Sequence, residues 1–332
     1  MLRIATFLIV LGSCTATLAD CFLNPSLPSE CFYGLCYGPY VQGQVPGDTL
    51  PPGQIEDQLD IILPYTYWVR TYGCNEQLSV IPPLVRADGG RPLIGTWIRD
   101  TDAEDQIHRA FQVAECNPEP SDVVVIGNEE ISSGNMQWYE MRDYIIYVVK
   151  PIREEEKKVC IPITIAEPWS TIFMPDTGTE IFPELFDELD GPILANIFPF
   201  HEGCHIDDAI DQLKSTYTMI CNANPHREIW IGETGWPSAG ETVEEAVPSC
   251  ENAARYLRDC LEWMREDPDV KLCYFAAFDE QWKAPPEYQA NWGVWYGDGN
   301  LKLPEPTSIG LLMSGAPILL LATRRRRRLV RR

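Results

Sequence analysis

The amino-acid sequence predicts an α/β protein of the (β/α)8 class, a TIM barrel, and three observations lead to this fold. The chain has 332 residues, 45% of them hydrophobic, which suffices for one large barrel domain. Short apolar runs that end in glycine or polar residues recur eight times, mostly separated by segments with helical periodicity. These runs are continuously apolar rather than alternating, as expected for parallel strands that are covered on both faces.

The eight predicted strands follow one another along most of the chain. They lie at Tyr33, Tyr67, Arg91, Asp122, Val159, Ile193, Arg227 and Lys271. The clearest helical patterns between them are DAEDQIHRAFQVAEC, MQWYEMRDYIIYVVKPIREEEKK, IDDAIDQLKSTYTMICNAN and CENAARYLRDCLEWMRED. Only loops are recognisable after the eighth strand, so we expect the final helix of the barrel to be reduced or missing.

The two ends of the chain differ from its body. Residues 1–19 combine Arg3 with a short apolar stretch and small residues, the anatomy of a secretory signal peptide. Residues 20–304 form the predicted barrel domain. Residues 305–332 join a short apolar stretch to seven arginines, which leaves three interpretations open: a short membrane anchor, a disordered appendage or a wrongly assigned gene end. We expect a secreted, extracellular or cell-wall protein, anchored at the cell surface if the tail is an anchor.

Composition narrows the range of partners. The net charge is −23 in spite of the C-terminal arginines, and an acidic body does not suit binding to the phosphates of nucleic acid. We therefore expect no nucleic-acid partner, and we expect a monomer. Eleven of the twelve cysteines lie outside the predicted signal peptide, and in an oxidising compartment they predict several disulfides, although their spacing does not define the pairing. Because eleven is an odd number, at least one thiol is expected to be free or to pair with another molecule. No metal and no organic cofactor is expected.

The strand ends predict the position of an active site, because catalytic residues of a (β/α)8 barrel lie at the C-terminal ends of the strands. Glu129 ends the fourth predicted strand and Glu233 the seventh, so the two carboxylates converge across the mouth of the barrel. Glycoside hydrolysis needs such a pair: one acid protonates the departing oxygen, and a second carboxylate attacks the anomeric carbon or activates water. Hydrogen bonds are expected to keep Glu233 ionised. Asn128 is placed to hold the sugar 2-hydroxyl.

The remaining strand ends and loops have the composition of a sugar site, with aromatic rings that stack on pyranose faces and polar groups that bind hydroxyls. The residues predicted to bind substrate on this basis are Tyr37, Tyr72, Asn128, Asn196, Glu280, Trp169, Trp236 and Trp282. Two further acidic residues are interpreted differently. Glu130 is expected to start the following helix, and Glu167 to line the cleft or cap a helix.

Five motifs resemble those of the family-17 glycoside hydrolases, the β-1,3-glucanases. They are YGLCYGPY at Tyr33, IGNE at Ile126, ANIFPF at Ala195, GETGWPSAG at Gly232 and FDEQWK at Phe278, in the family's order. The resemblance covers approximately residues 33–303. It implies a retaining enzyme on a (β/α)8 barrel that acts on β-1,3-glucan, with Glu129 as acid/base and Glu233 as nucleophile. Retention predicts carboxyl groups roughly 5 Å apart.

The resemblance also implies roles for residues around this pair. Glu280 and Lys283 would support the site, Tyr72 would touch the region of the nucleophile, and Asn128 and Asn196 would contact the substrate. Phe198, also expected at the substrate, stands where the family usually has tyrosine, so a hydroxyl contact from that ring is lost.

Several functional alternatives stay open or are weighed against this interpretation. The sequence does not separate endo from exo cleavage, or hydrolysis from transfer to a second glucan chain. A non-catalytic glucan-binding wall protein on the same barrel predicts the loss of one carboxylate, and both are present. HEGCH, from His201 to His205, matches the zinc-protease pattern H-E-x-x-H, which requires a helix. Gly203 and the position directly after IFPF predict a loop, so zinc catalysis is not favoured.

Overall fold

The computed structural model describes residues 32–302 except 42, 100 and 118. The predicted signal peptide and the predicted C-terminal tail lie outside the described residues, as does the beginning of the predicted domain at residue 20. Within the part of the chain that is described, no helix is long and apolar enough to cross a membrane.

Parallel strands form a barrel, as the sequence predicts. They are β1 (Phe32–Cys36), β2 (Thr66–Arg70), β3 (Arg91–Thr96), β4 (Val123–Ile126), β5 (Ile163–Thr164), β6 (Ala166–Pro168), β7 (Ile193–Asn196), β8 (Ile229–Thr234) and β9 (Leu272–Tyr274). Their order in the sheet is β5-β4-β3-β2-β1-β9-β8-β7-β6, and each paired neighbour is parallel. The (β/α)8 prediction is confirmed.

The fifth predicted strand is divided at Ile165, which explains why eight predicted runs correspond to nine strands. The part before this residue, β5, pairs with β4, whereas the part after it, β6, pairs with β7. The carbonyl group of Ile165 accepts a hydrogen bond from the backbone N–H of Leu194 at 3.4 Å. One passage of the chain therefore closes the barrel by bonding to a different neighbour with each half.

Helices cover the barrel between the strands. They are α1 (Gln54–Ile62), α2 (Ile81–Ala87), α3 (Ala103–Val113), α4 (Trp138–Tyr144), α5 (Lys150–Glu155), α6 (Trp169–Ile172), α7 (Pro183–Phe186), α8 (Ala209–Ala223) and α9 (Cys250–Glu266). A π-helical turn, Ile145–Val149, joins α4 to α5. The four predicted helical segments correspond to α3, the α4–α5 run, α8 and α9. Between β9 and residue 302 the described chain contains no α-helix and forms two 3₁₀ turns, Gln281–Lys283 and Glu287–Ala290, together with two isolated β-bridges.

The core of the barrel is closed on both faces of the sheet. Every residue of β3, β4, β7 and β8 is buried, in agreement with the continuously apolar pattern of these runs. Cys116 and Cys160 form a disulfide that ties the end of α3 to the segment before β5. This pairing could not be read from the cysteine spacing.

Candidate active site

Glu233 lies near the C-terminal end of β8, between two glycines that allow a close approach of the chain. A Cβ atom on Gly235 would lie 2.1 Å from the carbonyl oxygen of Phe275, and one on Gly232 would lie 2.8 Å from Asn196 Oδ1. Side chains at these two positions would push neighbouring strands away. The two glycines of the GETG sequence thus allow β8 to place Glu233 in the closely packed mouth of the barrel, where Glu233 is only 5% exposed.

The carboxylate of Glu233 is held by two side chains from β2 and the loop after it. The Tyr72 hydroxyl donates a hydrogen bond to Glu233 Oε1 at 2.9 Å, and Arg70 Nη1 lies 3.0 Å from the same oxygen. Burial raises the pKa of Glu233, while the charges of Arg70 and Lys283 and the bond from Tyr72 oppose this rise. The hydrogen bonds that the sequence predicts are present, but the pKa is still above its ordinary value because burial outweighs them.

Arg70 is the hub of the site, the residue that contacts Glu233 and the amides of both Asn128 and Asn196, and its role was not predicted from the sequence. Its side chain is fully buried at the end of β2. It donates to the Gly232 carbonyl at 2.6 Å, to Asn128 Oδ1 at 2.7 Å and to Asn196 Oδ1 at 3.2 Å. Burial works against its charge and is the largest single effect, but the charges of Glu233, Tyr72 and two buried cysteines together outweigh it, so the pKa of Arg70 is raised. A positive charge inside the apolar run YWVR was the available signal.

Glu129 lies just beyond β4 in a turn, and its surroundings differ from those of Glu233. It is half-buried and has a φ of 59°, in the left-handed region that non-glycine residues rarely adopt. Asn196 Nδ2 donates to Glu129 Oε1 at 2.9 Å. Because Arg70 binds both Asn196 and Glu233, a continuous chain of polar contacts joins the two carboxylates across the barrel mouth.

Glu130 and Glu167 are buried but have partners of their own. Arg99 Nε lies 2.8 Å from Glu130 Oε2, and this ion pair fixes the residue after Glu129. The Glu167 carboxylate accepts hydrogen bonds from the backbone N–H groups of Ile131 and Ser132. Burial raises the pKa of Glu167 to about 7, an effect that these two bonds reduce and the charge of Glu129 adds to.

A cationic and aromatic wall flanks the Tyr72 side of the site. Lys283 Nζ lies 2.6 Å from Glu280 Oε2 and 4.4 Å from the centre of the Phe275 ring. Phe275 in turn meets the Tyr72 ring edge to face. Trp282, next to Lys283, is 36% exposed at the rim.

The loops after β6 and β7 build another part of the mouth. The indole N–H of Trp169 donates to Glu202 Oε1 at 2.6 Å, so the half-buried ring is held in place by the HEGCH segment. That segment forms a turn before α8, as the sequence predicts. Phe198 is half-buried and packs edge to face against Phe275 and Trp292. Nowhere in residues 32–302 that are described do three or more His, Cys, Asp or Glu side chains group as metal ligands would.

Two predicted substrate-binding residues are placed elsewhere by the structure. Tyr37 is 1% exposed and its hydroxyl donates to Gln58 Oε1 at 2.7 Å, beneath the loop after β1. Trp236 is fully buried, and its indole N–H donates to the Val247 carbonyl at 3.0 Å. A ring that is enclosed on all sides cannot stack on a sugar, so both predictions are wrong. The position of an aromatic residue in the sequence does not show which loops pack over its ring.

Two glutamates that are joined through Asn196 and Arg70 at the C-terminal mouth of a (β/α)8 barrel have the arrangement of a glycosidase. The family model described as the BtgE/BtgC glycoside hydrolase domain matches residues 34–297. The chain belongs to this glycoside hydrolase family, and it resembles family-17 enzymes in sequence and structure.

Known proteins from several fungi are similar to most of the chain. The glucan 1,3-beta-glucosidase of Saccharomyces cerevisiae is 24% identical over 266 residues, which cover 74% of this chain and 83% of the relative. That of Arthroderma benhamiae is 28% identical over 262 residues, covering 70% and 77%. The crystal structure of a family-17 beta-1,3-glucanosyltransferase from Rhizomucor miehei is 28% identical, with a TM-score of 0.67 over 82% of this chain and 97% of that one. An active-site mutant of that enzyme in complex with laminaritriose matches equally well.

Proposed function

We propose that the protein is a retaining glycosidase that cleaves β-1,3-glucosidic bonds in glucan by double displacement. The observation that carries this proposal is the contact chain Glu129–Asn196–Arg70–Glu233, which brings two carboxylates with different surroundings to one barrel mouth. The names of the relatives, glucan 1,3-beta-glucosidases and a beta-1,3-glucanosyltransferase, support the choice of glucan as substrate.

In the first step, Glu233 attacks the anomeric carbon while Glu129 protonates the departing oxygen. The contacts of Arg70 and Tyr72 both go to Glu233 Oε1, so Oε2 is the oxygen that forms the bond to the sugar. The glycosidic C–O bond breaks as the proton of Glu129 moves to the leaving oxygen, and a covalent glycosyl-enzyme results. Because Arg70 and Tyr72 orient one oxygen, the other is directed without a conformational search.

In the second step, Glu129 acts as a base. It takes a proton from water, which attacks the anomeric carbon and releases Glu233, so the configuration at that carbon is retained. Asn196 Nδ2 is bound to Glu129 Oε1 and holds the carboxyl group at one oxygen. The half-buried position of Glu129 gives water access to it, unlike the nucleophile.

The substrate contacts can be assigned from polar atoms and ring faces at the mouth of the barrel. Arg70 uses Asn128 Oδ1, so Asn128 Nδ2 is directed to a sugar hydroxyl, which we assign as the 2-hydroxyl beside the anomeric carbon. Trp169 and Trp282 line the two sides of the mouth and offer ring faces to pyranose units. Glu280 and Lys283 form an ion pair, and we assign their remaining polar atoms to further sugar hydroxyls.

Transfer to a second glucan chain is a second candidate, favoured by the half-buried ring of Phe198, which packs against the buried rings of Phe275 and Trp292. Phenylalanine at position 198 provides an apolar ring and no hydroxyl that would order a water molecule. An acceptor sugar can stack on the accessible part of the Phe198 ring, whereas water gains nothing from it. Phe198 therefore favours a sugar acceptor in the second step.

We place the activity outside the cell, in the medium or the wall. The predicted signal peptide supports this, and so does the Cys116–Cys160 disulfide, since disulfides persist in oxidising compartments.

The test is the product profile of the full chain on a soluble β-1,3-glucan, with Glu233→Gln as the matched variant. We expect the parent to release sugars with retained anomeric configuration, seen by proton NMR in the first minutes, and the variant to lose activity on the order of 10⁵-fold. A ladder of oligosaccharides means endo cleavage, glucose alone means exo cleavage, and chains longer than the substrate mean transfer. An inverted product, or an active Glu233→Gln variant, would refute the mechanism.

A further inference from the structure

The turn that carries Glu129 is held from the neighbouring strand, β6. The backbone N–H of Glu129 donates to the Ala166 carbonyl at 2.9 Å. The next residue of β6, Glu167, accepts at Oε1 from Ile131 N–H at 2.8 Å and at Oε2 from Ser132 N–H at 3.1 Å. Two adjacent residues of one strand thus bind three backbone N–H groups of the turn.

These three hydrogen bonds are needed because the backbone of the turn is strained. A left-handed φ at a non-glycine residue costs roughly 1–2 kcal/mol, and such a conformation persists only where the surroundings hold it. Glu129 has a φ of 59°. The turn is exposed at Ser132 and Ser133, so packing contributes little on that side. The Glu167 carboxylate, itself only 1% exposed, is the buried group to which the turn is bound.

A carboxylate suits this task better than an amide. Two N–H groups point at the two oxygens of Glu167, one bond to each oxygen. A glutamine in the same place offers one accepting oxygen and one NH₂ group, which would face a backbone donor. Replacing the carboxylate with an amide therefore loosens one of the two bonds and leaves the overall shape of the side chain unchanged.

We propose that Glu167 is a positioning residue for the acid/base, which sets the approach of Glu129 to the glycosidic oxygen through the backbone of the turn. The inference rests on the proposed role of Glu129. It assigns to a buried carboxylate outside the catalytic pair a specific part in the protonation of the leaving group. A residue that acts only on the protonation of the leaving group affects the rate most when the leaving group is poor, because a poor leaving group needs the proton.

The experiment compares kcat/KM for two aryl β-glycosides of laminaribiose, one with 2,4-dinitrophenolate and one with phenolate as leaving group. 2,4-Dinitrophenolate leaves without protonation, whereas phenolate needs the acid. For Glu167→Gln we expect a loss of roughly 10- to 100-fold with the phenyl substrate, as for a catalytic group displaced by about 1 Å, and under about 3-fold with the dinitrophenyl substrate. Glu167→Asp, which keeps both oxygens on a shorter side chain, gives a smaller loss with the same dependence and serves if Glu167→Gln does not fold.

Two further variants calibrate the result. Asp122→Asn makes the same change of carboxylate to amide at the amino end of β4, where Asp122 accepts from Glu115 N–H at 2.8 Å, and its losses on the two substrates should be equal. Glu129→Gln should show the strongest dependence on the leaving group. If Glu129→Gln shows the dependence but the Glu167 variants lose both activities equally, the positioning role is refuted and the proposed function stands. If Glu129→Gln shows no dependence, both are refuted.

Discussion

The two glutamates that we propose as catalytic are held in opposite ways. Glu233 is part of a buried strand, and two side chains from β2 and its loop, Arg70 and Tyr72, bind one of its oxygens. Glu129 stands on a turn outside β4, is half-buried, and owes its position to a left-handed backbone and to bonds from β6 and β7. The sheet itself positions the Glu233 carboxylate, whereas a loop held by hydrogen bonds positions the Glu129 carboxylate.

The difference agrees with the role that we propose for each glutamate. A nucleophile attacks one carbon along one direction, so a fixed, desolvated carboxylate serves it well. An acid/base meets first the glycosidic oxygen and then water, and therefore needs access to both. Changes on the Glu233 side should affect the charge balance of the site, whereas changes on the Glu129 side should affect backbone geometry.

Breaking the support of Glu233 should have the largest effect. Arg70→Met removes a buried cation. Glu233, Asn128 and the Gly232 carbonyl then lose the N–H groups that the guanidinium donates to them. Because breaking a buried ion pair leaves an uncompensated charge, we expect a loss of about 3–5 kcal/mol in the free energy of unfolding. We also expect a loss on the order of 10²–10³ in kcat. Urea unfolding and glucan hydrolysis measure the two effects.

Arg70→Lys is the matched control, because it keeps the charge but not the forked set of donors. It should recover part of the stability and little of the activity. A fully active and stable Arg70→Met variant would contradict the role of Arg70 as hub.

The support of Glu129 should be visible as a pH dependence of stability. Burial raises the pKa of Glu167 from its ordinary 4.5 to about 7, so the folded protein binds this proton more tightly than the unfolded chain. The resulting stability is fully present below pH 4.5 and is lost as the pH rises through 7. At one pKa unit per 1.36 kcal/mol it amounts to at most about 3 kcal/mol.

Glu167→Gln cannot titrate, so the difference between its urea unfolding curves and those of the parent isolates this group. Between pH 4.5 and 8, the free energy of unfolding of the parent should fall relative to that of Glu167→Gln. A difference that does not change with pH would show that Glu167 has the same proton affinity in the folded and unfolded chain.

The smallest effect is expected from Tyr72→Phe, which removes one hydrogen bond to Glu233 Oε1. A hydrogen bond to a charged group contributes about 1.5–3 kcal/mol, so kcat should fall at least about 10-fold. The bond favours the ionised carboxylate, and its loss should raise the pKa of Glu233 further. The acidic limb of the kcat/KM profile should therefore move to higher pH.

Tyr37→Phe is the matched control, because it removes a buried hydroxyl that binds Gln58 and not a carboxylate. It should lower stability and leave the pH profile of kcat/KM in place. If both variants shift the profile equally, the shift does not come from the bond between Tyr72 and Glu233.

Much of the fold could be predicted because its signals are local. Continuous apolar runs predicted the parallel strands, and helical periodicity predicted α3, α8 and α9. The division at Ile165 was not predictable, because an apolar run carries no mark of which neighbour each of its halves will bond. Tyr37 and Trp236 were misassigned for a related reason: exposure depends on distant loops that pack over the ring.

By itself, the sequence determined the barrel and the pair of strand ends that carry Glu129 and Glu233. These follow from short-range patterns and from glycines that permit a close approach of the chain on either side of Glu233. Only the tertiary structure decided that Arg70 is the hub of the site. Its partners lie 58, 126 and 162 residues away in the chain, and such contacts exist only once the barrel closes. A buried charge is stable only where folding brings acceptors to it, so its role is set by the whole barrel rather than by its own segment.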